Sequence, residues 1–153
     1  MFKSNSNSKK ISVDREKMDD PFCRYQMSEV ILKDEGFGNG LRTVFVNLEE
    51  IANDLNRDKA MIMTYLSSIL GCKYIQEKGD NVRWILYGKF KKEKIQDCIY
   101  DFISIFVLCS HCKKPETKME IQEKNDVVLK CSACSKSSRI LLNKHSIKVL
   151  KLL

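Results

Sequence analysis

From residue 30 onward, the apolar positions of this chain switch between a period of two and a period of 3.6. "SEVILKDE" predicts a short strand around Val30–Lys33, and "LRTVFVN" (41–47) alternates into a second strand. Between them, "DEGFGNG" (34–40) sets three glycines and an asparagine in seven residues, which predicts a loop with positive-φ positions. Asn47 stands where a helix N-cap belongs, with Glu50 placed to complete a capping box, and Leu48, Ile51, Ala52 and Leu55 line one face of that helix. A second start signal, Asp58, precedes Ile62, Tyr65, Leu66, Ile69 and Leu70 at helical spacing, and Gly71 ends the run. Two short helices joined by "NRD" make a helix-turn-helix-like pair. "CKYIQE", the turn "KGDN" and "VRWILY" predict a hairpin ending at Gly88. A third helix, over 91–107, buries Ile95, Ile99, Phe102 and Phe106.

The flanks have a different texture. Residues 1–20 carry Ser, Asn, Lys and Asp without an apolar period, which predicts a disordered head containing the start of an arm. After Leu108 the helical period gives way to short strands and cysteine knuckles over 109–142, followed by a tail, 143–153. The expected fold class is α+β: a small mixed sheet with a helix-turn-helix-like pair and a third helix over 21–108, followed by a four-cysteine zinc ribbon. The two cysteine pairs are the one internal repetition.

Composition narrows the class. Hydrophobic residues make up 43% and charged residues 31% of 153, an ordinary balance for one modest domain or two small ones. No apolar run approaches the ~18 residues that span a bilayer, and "SNSNSKKISVDREK" lacks the apolar core of a signal peptide. The expectation is a cytoplasmic, monomeric protein without a membrane partner, whose thiols stay reduced. The net charge of +7 is uneven: from Cys109 to the end there are ten Lys/Arg and four Asp/Glu. Such a basic module suits phosphate backbones, and equally a solvated lysine-rich surface. An independent enzyme is disfavoured, because neither histidine, His111 or His145, has a nucleophile or carboxylate at motif spacing.

The strongest chemical signal is Cys109-x2-Cys112 and Cys131-x2-Cys134. Two such knuckles let four thiolates converge on one zinc ion at about 2.3 Å, with "TKMEI" and "VVLKC" as the hairpin between them. Four cysteine ligands leave no open position, so the expected site is structural. A segment of ~45 residues builds too small a core to fold unaided, and the metal would supply its folding free energy. His111, inside the first knuckle, reads as a bystander. Cys23, Cys72 and Cys98 lack partner spacing, and the last two sit on apolar faces as core filler.

Several motifs then coincide. "DPFCRYQM", "EGFGNGLRTVFVNLEEIANDLNR" and "FVLCSHCKKPET" closing on "CSAC" together resemble the N-terminal domain of eukaryotic translation initiation factor five, a family shared with the beta subunit of initiation factor two. The resemblance runs from about residue 11 to about residue 150. It implies activation of GTP hydrolysis by initiation factor two, whose gamma subunit is the GTPase, within the scanning preinitiation complex on the small ribosomal subunit. The arginine of the family's Phe-x-Arg-Tyr motif falls on Arg24, which is implied to act in trans as an arginine finger. The domain is also implied to support initiator tRNA pairing with mRNA at the start codon. By position, its RNA-contacting residues are Lys33, Gly36, Asn39, Gly40, Arg42 and Arg83. The chain departs from the family pattern at Cys23, Ser28, Phe37 and Thr64.

Two other classes stay open on the sequence. One is a beta-subunit-like module that binds tRNA or the gamma subunit without activating it. The other is a basic zinc-ribbon binder of nucleic acid with no GTPase partner.

Overall fold

Ladders and caps form where the sequence provides them, and the exceptions set the architecture. The computed structural model describes residues 10–14, 25–36, 40–79, 82–122, 126–140 and 143–151. Strands β1 (Lys10–Ser12) and β2 (Gln26–Ser28) form an antiparallel pair. Strands β3 (Leu32–Glu35), β4 (Arg42–Phe45), β5 (Tyr74–Glu77) and β6 (Arg83–Tyr87) make a four-stranded sheet in the order β3-β4-β6-β5. Strands β7 (Thr117–Ile121), β8 (Val127–Cys131) and β9 (Ser137–Arg139) form a third sheet. The α+β class is as expected, but the central sheet is antiparallel throughout rather than mixed. Its outer pairs are hairpins; the helical connection carries the chain from β4 to β5 at the far edge, and β6 then turns back between them to run against β4.

Helix α1 (Leu48–Leu55) buries Leu48, Ile51, Ala52 and Leu55. Helix α2 (Lys59–Leu70) starts at Asp58, whose side chain accepts from the Ala60 N–H, and stops at Gly71 with φ 68°. Helix α3 (Lys92–Phe106) buries Ile95, Ile99, Phe102 and Phe106 together with Cys98, Tyr100 and Ile103. Tyr65 of α2 meets the rings of Phe102 and Phe106 edge-on at 5.7 and 5.9 Å.

The capping box expected at Asn47 and Glu50 does not form. Asn47 occupies the N-cap, but its Oδ1 accepts from the Ile31 N–H at 2.9 Å and its Nδ2 donates to the Glu29 carbonyl at 2.8 Å. Glu50 instead accepts from the Ser28 hydroxyl at 3.3 Å. Among the described residues the chain between β2 and β3 has one backbone–backbone bond, from the Val46 N–H to the Ile31 carbonyl at 2.9 Å, and its other polar groups need side-chain partners. Leaving its backbone groups unpaired would cost more than a first helical turn that retains water. For the same reason β3 begins two residues later than Val30, whose N–H is taken by the Gln96 side chain at 3.0 Å.

Both flanks carry structure. Within the stretch expected to be a disordered head, Lys10–Ser12 form β1, and Val13 is buried. "ISV" is too short to register as a period, but pairing with β2 completes it. The tail contains α4 (Lys144–Leu150), capped by an Asn143–Ser146 box. It docks on α2, where Ser68 Oγ lies 2.6 Å from His145 Nδ1.

The ribbon shares the core. Its Val127, Leu129 and Ile140, with Val149 of α4, belong to the same apolar cluster as the residues of α1–α3. The junction is clamped by Arg57, from the "NRD" turn. Its Nε and Nη2 donate to the Phe106 carbonyl at 3.0 and 2.8 Å, and Nη2 also reaches Thr117 Oγ1 at 2.8 Å. Nη1 donates to the Asn56 carbonyl at 2.8 Å and the Thr117 carbonyl at 3.2 Å. All five guanidinium N–H groups are thereby used. Among the described residues no carboxylate pairs with it; the acceptors at Asn56 and Phe106 are helix-end carbonyls, which carry partial negative charge. Burial pulls the guanidinium down to about 10, still charged at neutral pH.

Replacing Arg57 by Met is expected to cost about 2–4 kcal/mol in urea unfolding, because several carbonyls lose their donor together. Arg57→Lys is expected to recover less than half of that, since an ammonium offers three donors without the planar fork.

Candidate functional site

Two knuckles of matching geometry build the metal centre. In the first, the Lys113 N–H bonds the Cys109 carbonyl at 2.9 Å and the Cys109 N–H bonds the Lys114 carbonyl at 3.0 Å. In the second, Ser135 and Lys136 make the same two bonds to Cys131, both at 3.0 Å. Lys113 and Ser135 take up the left-handed turn, with φ 61° and 63°. Each turn brings its two cysteines onto one side of the loop.

The four Sγ atoms of Cys109, Cys112, Cys131 and Cys134 lie within 4.8 Å of one another. The Cys109–Cys134 and Cys112–Cys131 sulfurs are 3.7 and 3.6 Å apart. A tetrahedron with metal–sulfur bonds of about 2.3 Å has edges of ~3.8 Å, so the spacing fits a single metal ion. The thiols show the strain of sharing this space. Burial raises the Cys109 thiol, but N–H donation from Cys112 and His111 and bonds from Cys134 and Cys112 outweigh it, down to about 6. At Cys112 an N–H from Lys114 favours the thiolate, yet burial and the neighbouring Cys131, Cys109 and Cys134 push it up to about 11. Four thiolates would need a cation here. His111 is exposed and contributes its backbone N–H to Cys109 Sγ at 3.3 Å, not its ring. Cys98 is buried, and Cys72 half-buried, within the core.

The second candidate is the sheet face turned away from the helices. Cross-strand register places Lys33, Glu35, Arg42, Val44, Arg83, Ile85, Tyr87 and Glu77 on this one face. Glu35 accepts from Arg42 Nη2 at 3.2 Å and from Arg83 Nη2 at 2.5 Å. Glu77 meets Arg83 Nη1 at 3.2 Å and Arg42 Nη1 at 3.9 Å. The hydrogen bond from Arg83 holds the half-buried Glu35 carboxyl below its ordinary 4.5. This network shares its face with the buried Val44 and Ile85, so the long arginine stems are suited to cover apolar surface while their heads stay in solvent.

Arg42 and Arg83 therefore stand engaged by carboxylates, whereas Lys33 is exposed with no ion pair among the described residues. Sequence reasoning misses the acidic partners; their signal is positional, since Glu35 and Arg42 face each other at the two ends of the glycine loop. Gly36, at φ 81°, is exposed at that loop, and a Cβ there would lie 2.0 Å from the Gly40 carbonyl oxygen. Only glycine fits so close a closure. Arg24 and Asn39 lie outside the described residues.

A family profile for the domain found in initiation factors 2B and 5 matches residues 15–137. The chain is similar to eukaryotic translation initiation factor 5 of Saccharomyces cerevisiae, with 39% identity over 133 residues, 86% of this chain and 33% of that one. It is 40% identical over 128 residues to the factor of the same name from Caenorhabditis elegans, covering 84% and 29% of the two chains. For Dictyostelium discoideum the identity is 38% over 122 residues, covering 80% and 30%. The chain thus spans about a third of the length of the curated relatives it matches. No helix among the described residues is long and apolar enough to cross a membrane.

Elemental analysis of protein purified without chelator is expected to find one metal ion per chain, with Cys109→Ser or Cys131→Ser losing it. Chelation is expected to lower the Tm and to speed hydrogen exchange first in β7–β9; a metal-free protein of unchanged Tm would contradict the centre.

Proposed function

The chain belongs to the family of domains found in initiation factors 2B and 5, and from that membership we propose that it serves translation initiation in the cytoplasm as an activator of GTP hydrolysis by initiation factor two. Its own contribution to the chemistry is Arg24, supplied in trans to the gamma subunit; the chain is not itself an enzyme. One observation carries the reading: the family match spans residues 15–137, and so takes in both the Phe22–Tyr25 motif and the four-cysteine ribbon. Phosphoryl transfer through a loose transition state spreads charge over the γ-phosphate oxygens and favours a donor that is always ionised, which a guanidinium is. The ion held by Cys109, Cys112, Cys131 and Cys134 is proposed to be zinc, because an all-thiolate tetrahedral donor set suits it.

The sheet face with Lys33, Gly36, Gly40, Arg42 and Arg83, together with Asn39, is proposed to approach initiator tRNA on the small ribosomal subunit. Glycines admit close backbone approach, and exposed Lys33 suits a phosphate. Arg42 and Arg83 contribute less than free cations would, because RNA must compete with Glu35 and Glu77 for them.

In a single-turnover assay with the GTP-bound factor-two ternary complex, Arg24→Ala is expected to lower stimulated hydrolysis by about 10³-fold or more, with an unchanged Tm. Undiminished hydrolysis would contradict the reading. Stable capture of the gamma subunit with no stimulation by the unaltered chain would favour the binding-module alternative.

A further inference from the structure

Hydrogen bonds run without a break from the cysteine cluster to the N-terminal hairpin. Ser132, the residue after Cys131, donates its N–H to the Glu116 carbonyl at 2.8 Å and its hydroxyl to the same oxygen at 3.2 Å. The Glu116 side chain accepts the Tyr25 phenol at 2.5 Å, across 91 residues of sequence. The Tyr25 carbonyl accepts the Val13 N–H at 3.0 Å, which extends the β1–β2 ladder by one rung. The helices hold the hairpin as well, Ser28 through Glu50 and Lys10 through Asp54, and two bonds reach its backbone. The buried Tyr100 hydroxyl of α3 donates to the Ser12 carbonyl at 2.7 Å, and Asp54 of α1 accepts the Ser28 N–H at 2.8 Å. Those two come from the helical core; the tie at Tyr25 comes from the ribbon.

We propose that Tyr25 and Glu116 form a strut through which the metal-bound ribbon holds Tyr25, the residue bonded to Arg24, in place, making both of them positioning residues for Arg24. This rests on the reading of Arg24 as the trans arginine. Consecutive Cα atoms are about 3.8 Å apart, so fixing Tyr25 through both its phenol and its carbonyl fixes the point at which the chain carrying Arg24 joins the described fold. Such precision matters for a group that must meet a nucleotide on another protein, where a misplacement of about 1 Å costs about 10²-fold in rate. A hydrogen bond to a carboxylate is strong enough to hold the ring. Glu116 keeps its place because Ser132 grips its carbonyl, and Ser132 sits in the second knuckle, which the metal closes. The cysteine cluster therefore reaches beyond its own ribbon.

The test uses the whole chain in the single-turnover GTPase assay together with hydrogen exchange. Tyr25→Phe keeps the ring and removes the donor; Glu116→Ala removes the acceptor and leaves the backbone bond to Ser132. Each is expected to lower the maximal stimulated rate about 10- to 100-fold, while the concentration giving half-maximal stimulation stays the same. Glu116→Gln, which retains an acceptor oxygen at the same reach, is expected to restore most of the rate, and the double variant is expected to be no worse than either single one. In hydrogen exchange, chelation is expected to accelerate the Val13 amide in the unaltered chain, and Tyr25→Phe is expected to show that faster exchange with metal bound. Full stimulation by Tyr25→Phe and Glu116→Ala, with Arg24→Ala inactive, would overturn the strut and leave the arginine reading standing. Should Arg24→Ala keep full stimulation, the arginine reading falls, and an unchanged Val13 exchange rate on chelation would then overturn the strut on its own.

Discussion

Half-burying the Arg57 guanidinium where the α1–α2 turn, the end of α3 and the start of β7 meet is tolerable because every N–H has an acceptor. That condition fixes the placement of the ribbon: Phe106 must end its helix facing the turn, and Thr117 must open its strand within reach. Thr117 is drawn in further by its hydroxyl, which donates to the Val107 carbonyl. One residue later or earlier, β7 would present its other face and lose the clamp. With Thr117 fixed, Glu116 falls beside Tyr25, and the inward face of the ribbon closes over the core shared with α1–α3.

The metal centre and the clamp divide the work of holding the ribbon. Its strands are short, and its outward face sets Lys118, Glu120, Lys130 and Arg139 around a single apolar residue, Val128, so its local stability would depend on the ion that closes the two knuckles. Its docking depends on Arg57 and on Val127, Leu129 and Ile140. On the proposed strut, removing the ion would loosen the second knuckle at Ser132 and, through Glu116, reach the hairpin. Fold and function meet there, since β2 leads back to the arm with Arg24.

The helices, the β5–β6 hairpin and the cysteine cluster are legible in the sequence because each is specified locally: by an Asp58 cap, by Gly71 in the left-handed region, by two Cys-x2-Cys spacings. What escapes is set by partners far along the chain. Asn47 has the sequence of a cap, but Ile31 and Glu29 claim its side chain. Arg57 sits in a polar turn and gives no sign of burial. Strand β1 needs β2 to become visible, and α4 is concealed in a lysine-rich tail although Asn143 and Ser146 are a regular capping pair. At the sheet face, Arg42 and Arg83 are legible as cations, while the carboxylates that hold them become apparent only once the cross-strand register is known.

The four-stranded sheet and the N-terminal strand pair are joined through Asn47, Ser28 and α1, so on the proposed function one hydrogen-bonded framework would serve both the RNA-facing and the nucleotide-facing groups. The central claim is that the arginine next to the strut acts on the transition state of the partner GTPase rather than on its ground state. It is tested most directly by measuring the affinity of the chain for the factor-two GTPase loaded with GDP, with and without aluminium fluoride to mimic the transferring phosphoryl group. Binding is expected to be at least about 10-fold tighter with the mimic, an increment that vanishes in Arg24→Ala. Equal affinity for the two forms, in a chain that still binds, would contradict it.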